Sequence, residues 1–181
     1  MKKELLYEKF TVRSRPALNY IEDESNEFKF SPPISNHPEV YLHSLNNAYV
    51  SPYGMVFKNG FIVDESLYDL NRNPLNVFSF YKKIIQGNVK TTDKECVVIH
   101  NSWYENYYHW CLEALPRLFA VKDRIARINL VLPANLKTFH HQTLVFFDID
   151  SIIECADNEL IRCASLSFSS FTAKGFGEHN P

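Results

Sequence analysis

Glycine is scarce in this chain, five residues in 181, and they do not assemble the glycine-rich turn that wraps a phosphate. Cysteine is equally thin. Cys96, Cys111, Cys155 and Cys163 are scattered without a C-x-x-C pair, which argues against a zinc site and against a disulfide framework, so buried free thiols are expected and no metal. Basic runs are missing too: 19 Lys and Arg stand against 21 Asp and Glu with no stripe of one sign, which excludes nucleic acid as a partner class. No apolar run approaches the roughly 20 residues of a spanning helix. The opening MKKELLYEKF is broken by Tyr7, Glu8 and Lys9 before a signal peptide's apolar stretch can form, so the cytosol is the expected compartment.

What is present is the material of a globular fold, with 45% of residues apolar and 22% charged. That is enough for one core, or a core with a small appendage. Residues 1–39 read as a loosely ordered lead-in, holding an acidic stretch at 21–27 and ending near Ser31-Pro32-Pro33. Residues 40–94 read as β-hairpins and a short helix. The Asn59-Gly60 pair between Met55-Val56-Phe57 and Phe61-Ile62-Val63 is a strong hairpin signal, because both turn residues tolerate positive φ, and 77–86 has helical spacing. Residues 95–181 read as an α/β domain. An apolar run at 96–100, a helical pattern over 106–127 and a strand at 128–133 make a βαβ unit. A second helix over 136–147 and short strands at 151–155, 160–163 and 166–171 follow. Asn180-Pro181 has the form of a helix start, which points to a chain cut before a further domain. His140-His141, inside the second helix, reads as a pair of surface histidines.

The informative stretch runs from Asn101 to Leu118, directly after the apolar run at 96–100, and ligands of α/β sheets gather at the carboxyl ends of strands. Tyr108, Cys111, Leu112, Leu115, Leu118 and Phe119 recur at helical spacing and form an apolar stripe expected to be core. His109, Glu113 and Arg117, spaced by four, form a polar row beside it. On spacing alone the row reads first as an i,i+4 surface ion pair with a histidine bonded to a neighbouring loop. The sharper alternative has His109 orienting a hydroxyl as general base, Glu113 holding the imidazole tautomer and Arg117 near a phosphate. Pro116 removes a backbone donor and crowds the carbonyl four residues earlier, so a kink near Leu112 is expected. Trp103, Tyr104, Tyr107, Tyr108 and Trp110 offer either core or a stacking platform for sugar rings.

Asn106-Tyr107-Tyr108-His109-Trp110, continuing through Leu112-Glu113-Ala114-Leu115-Pro116-Arg117-Leu118, resembles the N-Y-x-H-W…E-x-L-P-R-L motif of glycosyltransferase family 61, the capsular polysaccharide type. The likeness extends upstream to Asn46-Asn47-Ala48-Tyr49-Val50 and downstream to Gly177-Glu178-His179-Asn180-Pro181, about residues 40 to 181. It implies an α/β, Rossmann-like amino-terminal domain of a GT-B enzyme, preceded by β-hairpins, with the acceptor held here and the nucleotide sugar held by a second domain absent from this chain. It further implies sugar transfer from a nucleotide sugar to a cell-surface glycan, possible contact with the inner face of the membrane, and no cofactor beyond the donor substrate. Mapped onto the motif, His109, Glu113 and Arg117 are the catalytic candidates, and Asn106, Tyr107, Trp110 and Trp103 the substrate-binding ones. Asp148-Ile149-Asp150 spells the metal-holding D-x-D of a different transferase fold and reads as a cap or turn. The alternative function is a non-catalytic module that binds glycan, docks onto a transferase partner or self-associates. A hydrolase fits poorly, since no G-x-S-x-G elbow accompanies His43, His100 or His109.

Overall fold

The computed structural model of the chain describes residues 1–13, 34–67, 76–123 and 125–171; the acidic stretch at 21–27 and the helix-start signal at Asn180-Pro181 lie outside them. The described residues form an α/β fold around one mixed eight-stranded sheet, with few helices. The strands are β1 Lys2–Tyr7, β2 Phe10–Arg13, β3 Ile34–His37, β4 Val40–Val50, β5 Val56–Lys58, β6 Phe61–Ile62, β7 Val89–Val97, β8 Asn129–Pro133, β9 Ser151–Cys155 and β10 Leu160–Ser169. The sheet runs β6-β5-β4-β10-β7-β8-β9, with β1 also paired to β4, and β2 and β3 form a separate two-stranded sheet.

Local chemistry explains several elements. Asn59 and Gly60 take φ of 52° and 83°, as a tight β5–β6 hairpin requires. Helix α1, Val77–Ile85, begins where the Asn76 side chain accepts the Ser79 N–H at 2.9 Å. It is followed by Gly87 at φ 72°, the left-handed conformation that ends many helices. Gly54, at φ 73°, has no room for a side chain: a Cβ there would stand 2.1 Å from the His100 carbonyl oxygen. The 51–55 turn thus presses directly on the chain leaving β7.

Four strands, β10, β7, β8 and β9, are mutually parallel in that lateral order, so successive strands spread to one side of β7 and the last returns to its other side. Between β7 and β8 lies one helix in three pieces: α2 Tyr107–His109, a π-helical turn Trp110–Ala114, and α3 Leu115–Val121. Helix α4, Thr138–Leu144, joins β8 to β9. One sheet face buries Leu42, Val97, Ile99, Leu130 and Leu132 against Trp110, Ala114, Leu118, Val121 and Leu144 of these helices. The alternate residues, Cys96, Val98 and Val131, meet Val50, Val56, Cys155, Ile161 and Cys163 on the other face. Cys155 of the edge strand comes 3.9 Å from the Val50 carbonyl oxygen of β4. Four strand spacings of a flat sheet would separate them by about 19 Å, so the sheet curls strongly, and the 156–159 turn suffices to carry β9 into β10.

Several expectations need correction. Lys2–Tyr7 is not loosely ordered but an edge strand on β4. β7 starts at Val89, not 96, because its polar stretch is held by main-chain pairing to β10, which side-chain alternation does not announce. The strands expected at 160–163 and 166–171 are one strand, and the long helix ends at Val121.

Only part of the apolar stripe is core: Leu118 is fully buried, and Cys111 and Leu115 pack against the core from its margin. Leu112 is 48% and Phe119 59% exposed, and Tyr108 faces outward with them. Trp110, Glu113, Ala114, Arg117, Leu118 and Val121 are buried instead. A hydrophobic pattern assigns charges outward; here the sheet end offers Glu113 and Arg117 enough polar partners to bury them.

Candidate active site

The expected disturbance at Pro116 takes the form of the π-helical turn, in which the Leu115 N–H reaches back five residues to the Trp110 carbonyl. A widened turn just before a proline accommodates the missing donor and the crowded carbonyl. Asn106 caps the helix, its side chain accepting the Tyr108 N–H at 2.9 Å, so its side chain is occupied by the backbone.

His109 and Glu113 come together as the motif's spacing allows. His109 Nδ1 lies 2.9 Å from Glu113 Oε1. The carboxylate is 1% exposed while the imidazole keeps 19% of its surface. A carboxylate only accepts, so Nδ1 carries the proton and Nε2 is the basic nitrogen of the neutral ring. The other carboxylate oxygen, Oε2, accepts from Asn101 Nδ2 at 2.7 Å. Trp103 stacks on the imidazole, with centroids 5.6 Å apart and planes 22° from parallel, and Tyr108 meets it edge-on at 5.5 Å.

Arg117 does not join this group at the surface. It is fully buried and binds main-chain carbonyls: Nε and Nη2 donate to Ser169 O at 3.1 and 2.8 Å, and Nη1 donates to Ile99 O at 2.8 Å and His100 O at 3.4 Å. The Phe171 ring covers its guanidinium carbon at 4.3 Å. It thereby ties the carboxyl end of β10 to that of β7, where the parallel strands part to opposite sides. Burial pulls the guanidinium down to about 9, with the Glu113 charge acting against the shift. The expected phosphate contact is corrected accordingly, since this side chain has no surface from which to meet a ligand.

Trp110 also departs from its expected role. It is fully buried and its Nε1–H donates to Thr143 Oγ1 at 2.8 Å, anchoring the helix to α4. Tyr107 is exposed and packs edge-on against Phe139 at 5.3 Å. The 101–106 loop is pinned from below. His140, expected at the surface, is fully buried: its Nδ1 accepts the Lys137 N–H at 2.7 Å and its Nε2–H donates to Tyr104 O at 2.9 Å. His100 Nε2 donates to Pro52 O at 3.2 Å; burial, aided by the Arg117 charge, pushes its imidazole down to about 3.

Of the expected set, then, the structure gathers His109, Glu113 and Trp103, and leaves Arg117, Trp110 and Asn106 to hold the scaffold. Asn101 is the member that spacing did not find. Its only signal was position, the first polar residue after the run at 96–100. Among the described residues no group of three His, Cys, Asp or Glu side chains is placed to hold a metal ion. A hollow of about 330 Å³ lined by Leu6, Tyr7, Ala120 and Asp123 lies at the far end of the helix, roughly 16 Å from His109 by helix rise, away from this chemistry. Among the described residues no helix is long and apolar enough to cross a membrane. Comparison with protein-family models, with curated proteins and with solved structures returned no match.

Proposed function

We propose that this chain is the acceptor-binding part of a glycosyltransferase, moving a sugar from a nucleotide sugar to a cell-surface glycan. His109 is its general base. The observation that carries the reading is the Asn101–Glu113–His109 chain of hydrogen bonds beside the Trp103 indole, at the carboxyl end of a parallel strand where α/β sheets bind ligands. In the reaction the acceptor hydroxyl gives its proton to His109 Nε2 as its oxygen bonds to the anomeric carbon. The bond from that carbon to the diphosphate breaks, and the nucleoside diphosphate leaves with the electron pair. A carboxylate behind the imidazole stabilises the imidazolium that forms. Trp103, 38% exposed beside His109, is an aromatic of the kind that packs on the C–H side of a sugar ring.

The resemblance of the 106–118 segment to glycosyltransferase family 61 supports the same reading. So does the order of the parallel strands, third, second, first and fourth, which is that of the first four strands of a Rossmann sheet. With five glycines and no phosphate loop, the nucleotide sugar is assigned to a second domain or partner. In a transfer assay with that partner present, His109→Ala lowers turnover by about 10²- to 10⁴-fold and acceptor KM much less; unchanged turnover removes His109 from the chemistry.

A second reading, a glycan-binding module without catalysis, is favoured by the exposed aromatic rings of Trp103, Tyr107 and Tyr108. The transfer assay with that partner present separates the two: the module binds oligosaccharide by calorimetric titration yet shows no turnover with any donor, whereas the enzyme transfers the sugar.

A further inference from the structure

The Asn101 side chain is almost completely buried and both ends of its amide are engaged. Nδ2 donates to Glu113 Oε2 at 2.7 Å, and Oδ1 accepts the Trp103 N–H at 2.8 Å. The amide's orientation is chemically forced: turned over, it would set its oxygen against a carboxylate and its NH2 against an N–H. Asn101 therefore presents a donor to the Glu113 carboxylate that cannot be exchanged for an acceptor. The carboxylate in turn faces His109 Nδ1 at 2.9 Å with its other oxygen. Burial strengthens each bond and makes an unmade one expensive. By holding the Trp103 backbone, the same amide also places the indole that stacks on His109.

We propose that Asn101 is the positioning residue of this site: wedged between the Glu113 carboxylate and the Trp103 backbone, it dictates how residue 113 is oriented towards His109, a control that becomes legible in the imidazole tautomer once residue 113 is an amide with one donor and one acceptor. Asn101 touches no reacting atom and acts through Glu113. Its consequence for sugar transfer rests on the reading above, whereas its control of the orientation of residue 113 does not.

That independence makes the test clean. The near-isosteric Glu113→Gln replaces two equivalent oxygens with one acceptor and one donor. With Asn101 in command, the new amide turns its oxygen to Asn101 Nδ2 and its NH2 to His109. Nδ1 must then accept, and the ring proton moves to Nε2. With His109 in command, the amide oxygen faces the imidazole and the proton stays on Nδ1.

The experiment records two-bond 1H–15N spectra of the full chain labelled with 15N-histidine, in the range where the imidazole is neutral, with His109 assigned by its loss in His109→Ala. The expected result is the Nδ1–H pattern in wild type, the Nε2–H pattern in Glu113→Gln, and a return toward Nδ1–H in Asn101→Ala/Glu113→Gln. An Nδ1–H pattern in folded Glu113→Gln, or a mixture of the two, overturns the proposal. Since no substrate is present, this outcome is separate from that of the transfer assay, which tests the catalytic reading alone.

Discussion

At the residue scale, the clearest lesson concerns Arg117. A guanidinium four residues beyond a buried carboxylate invites a phosphate, yet its hydrogen bonds go to Ser169, Ile99 and His100 carbonyls. Ile99 and His100 lie just past the end of β7, and Ser169 is the last residue of β10, paired with Leu42 of β4; a planar fork of donors satisfies carbonyls of both chain segments at once. Lysine keeps the charge but cannot span both. Arg117→Lys is therefore expected to cost about 2 to 4 kcal/mol of stability by urea unfolding, because buried acceptors and a buried charge lose their partners. A variant as stable as wild type but altered in substrate KM would restore the phosphate role. Glu113, by contrast, is not the surface ion-pair partner of Arg117 that spacing put first: it is buried and meets His109 Nδ1, the contact of the sharper alternative.

At the scale of the element, the three-piece helix shows why periodicity misjudged its orientation. Two 3.6-residue patterns coexist on it, one apolar and one mixed, and only the mixed one finds polar partners at the sheet end. The decision is measurable. Leu118 is fully buried among Trp110, Val97 and Leu130, so Leu118→Ala should destabilise the chain by about 2 to 5 kcal/mol. Leu112→Ala, half exposed, should cost less than about 1 kcal/mol. Equal losses would mean that Leu112 is covered in solution as fully as Leu118. The hairpin at Asn59-Gly60 and the short helix at 77–86 were legible beforehand because their chemistry is local.

At the scale of the whole molecule, His43, His100 and His140 lie buried in the scaffold that carries the site. Burial pushes His100 down to about 3 and lowers His43 and His140 as well. In each case the unfolded chain binds a proton more readily than the folded one. Stability is therefore intact above about pH 6.5 and falls as the pH drops toward the folded values. His100 alone accounts for up to about 3 kcal/mol between pH 6.5 and 4.5. Thermal melts across that range should show a steep acid decline in wild type and a shallower one in His100→Gln, which keeps a donor for Pro52. A decline of equal slope in both would assign the acid sensitivity elsewhere.

The sequence by itself determined the local features: α/β composition, hairpin, the short helix at 77–86, the proline-disturbed helix, and a histidine and glutamate four residues apart on that helix. Each follows from interactions among residues a few positions apart, which composition and spacing record. Only the tertiary structure decided that the sheet curls until Cys155 reaches Val50, that polar residues 89–95 are strand, that Arg117 and Trp110 support the site from within, and that Asn101 completes it. These depend on contacts between segments tens of residues apart. A charged side chain is buried or exposed according to the partners that distant chain ends supply, which no pattern within one helix can register.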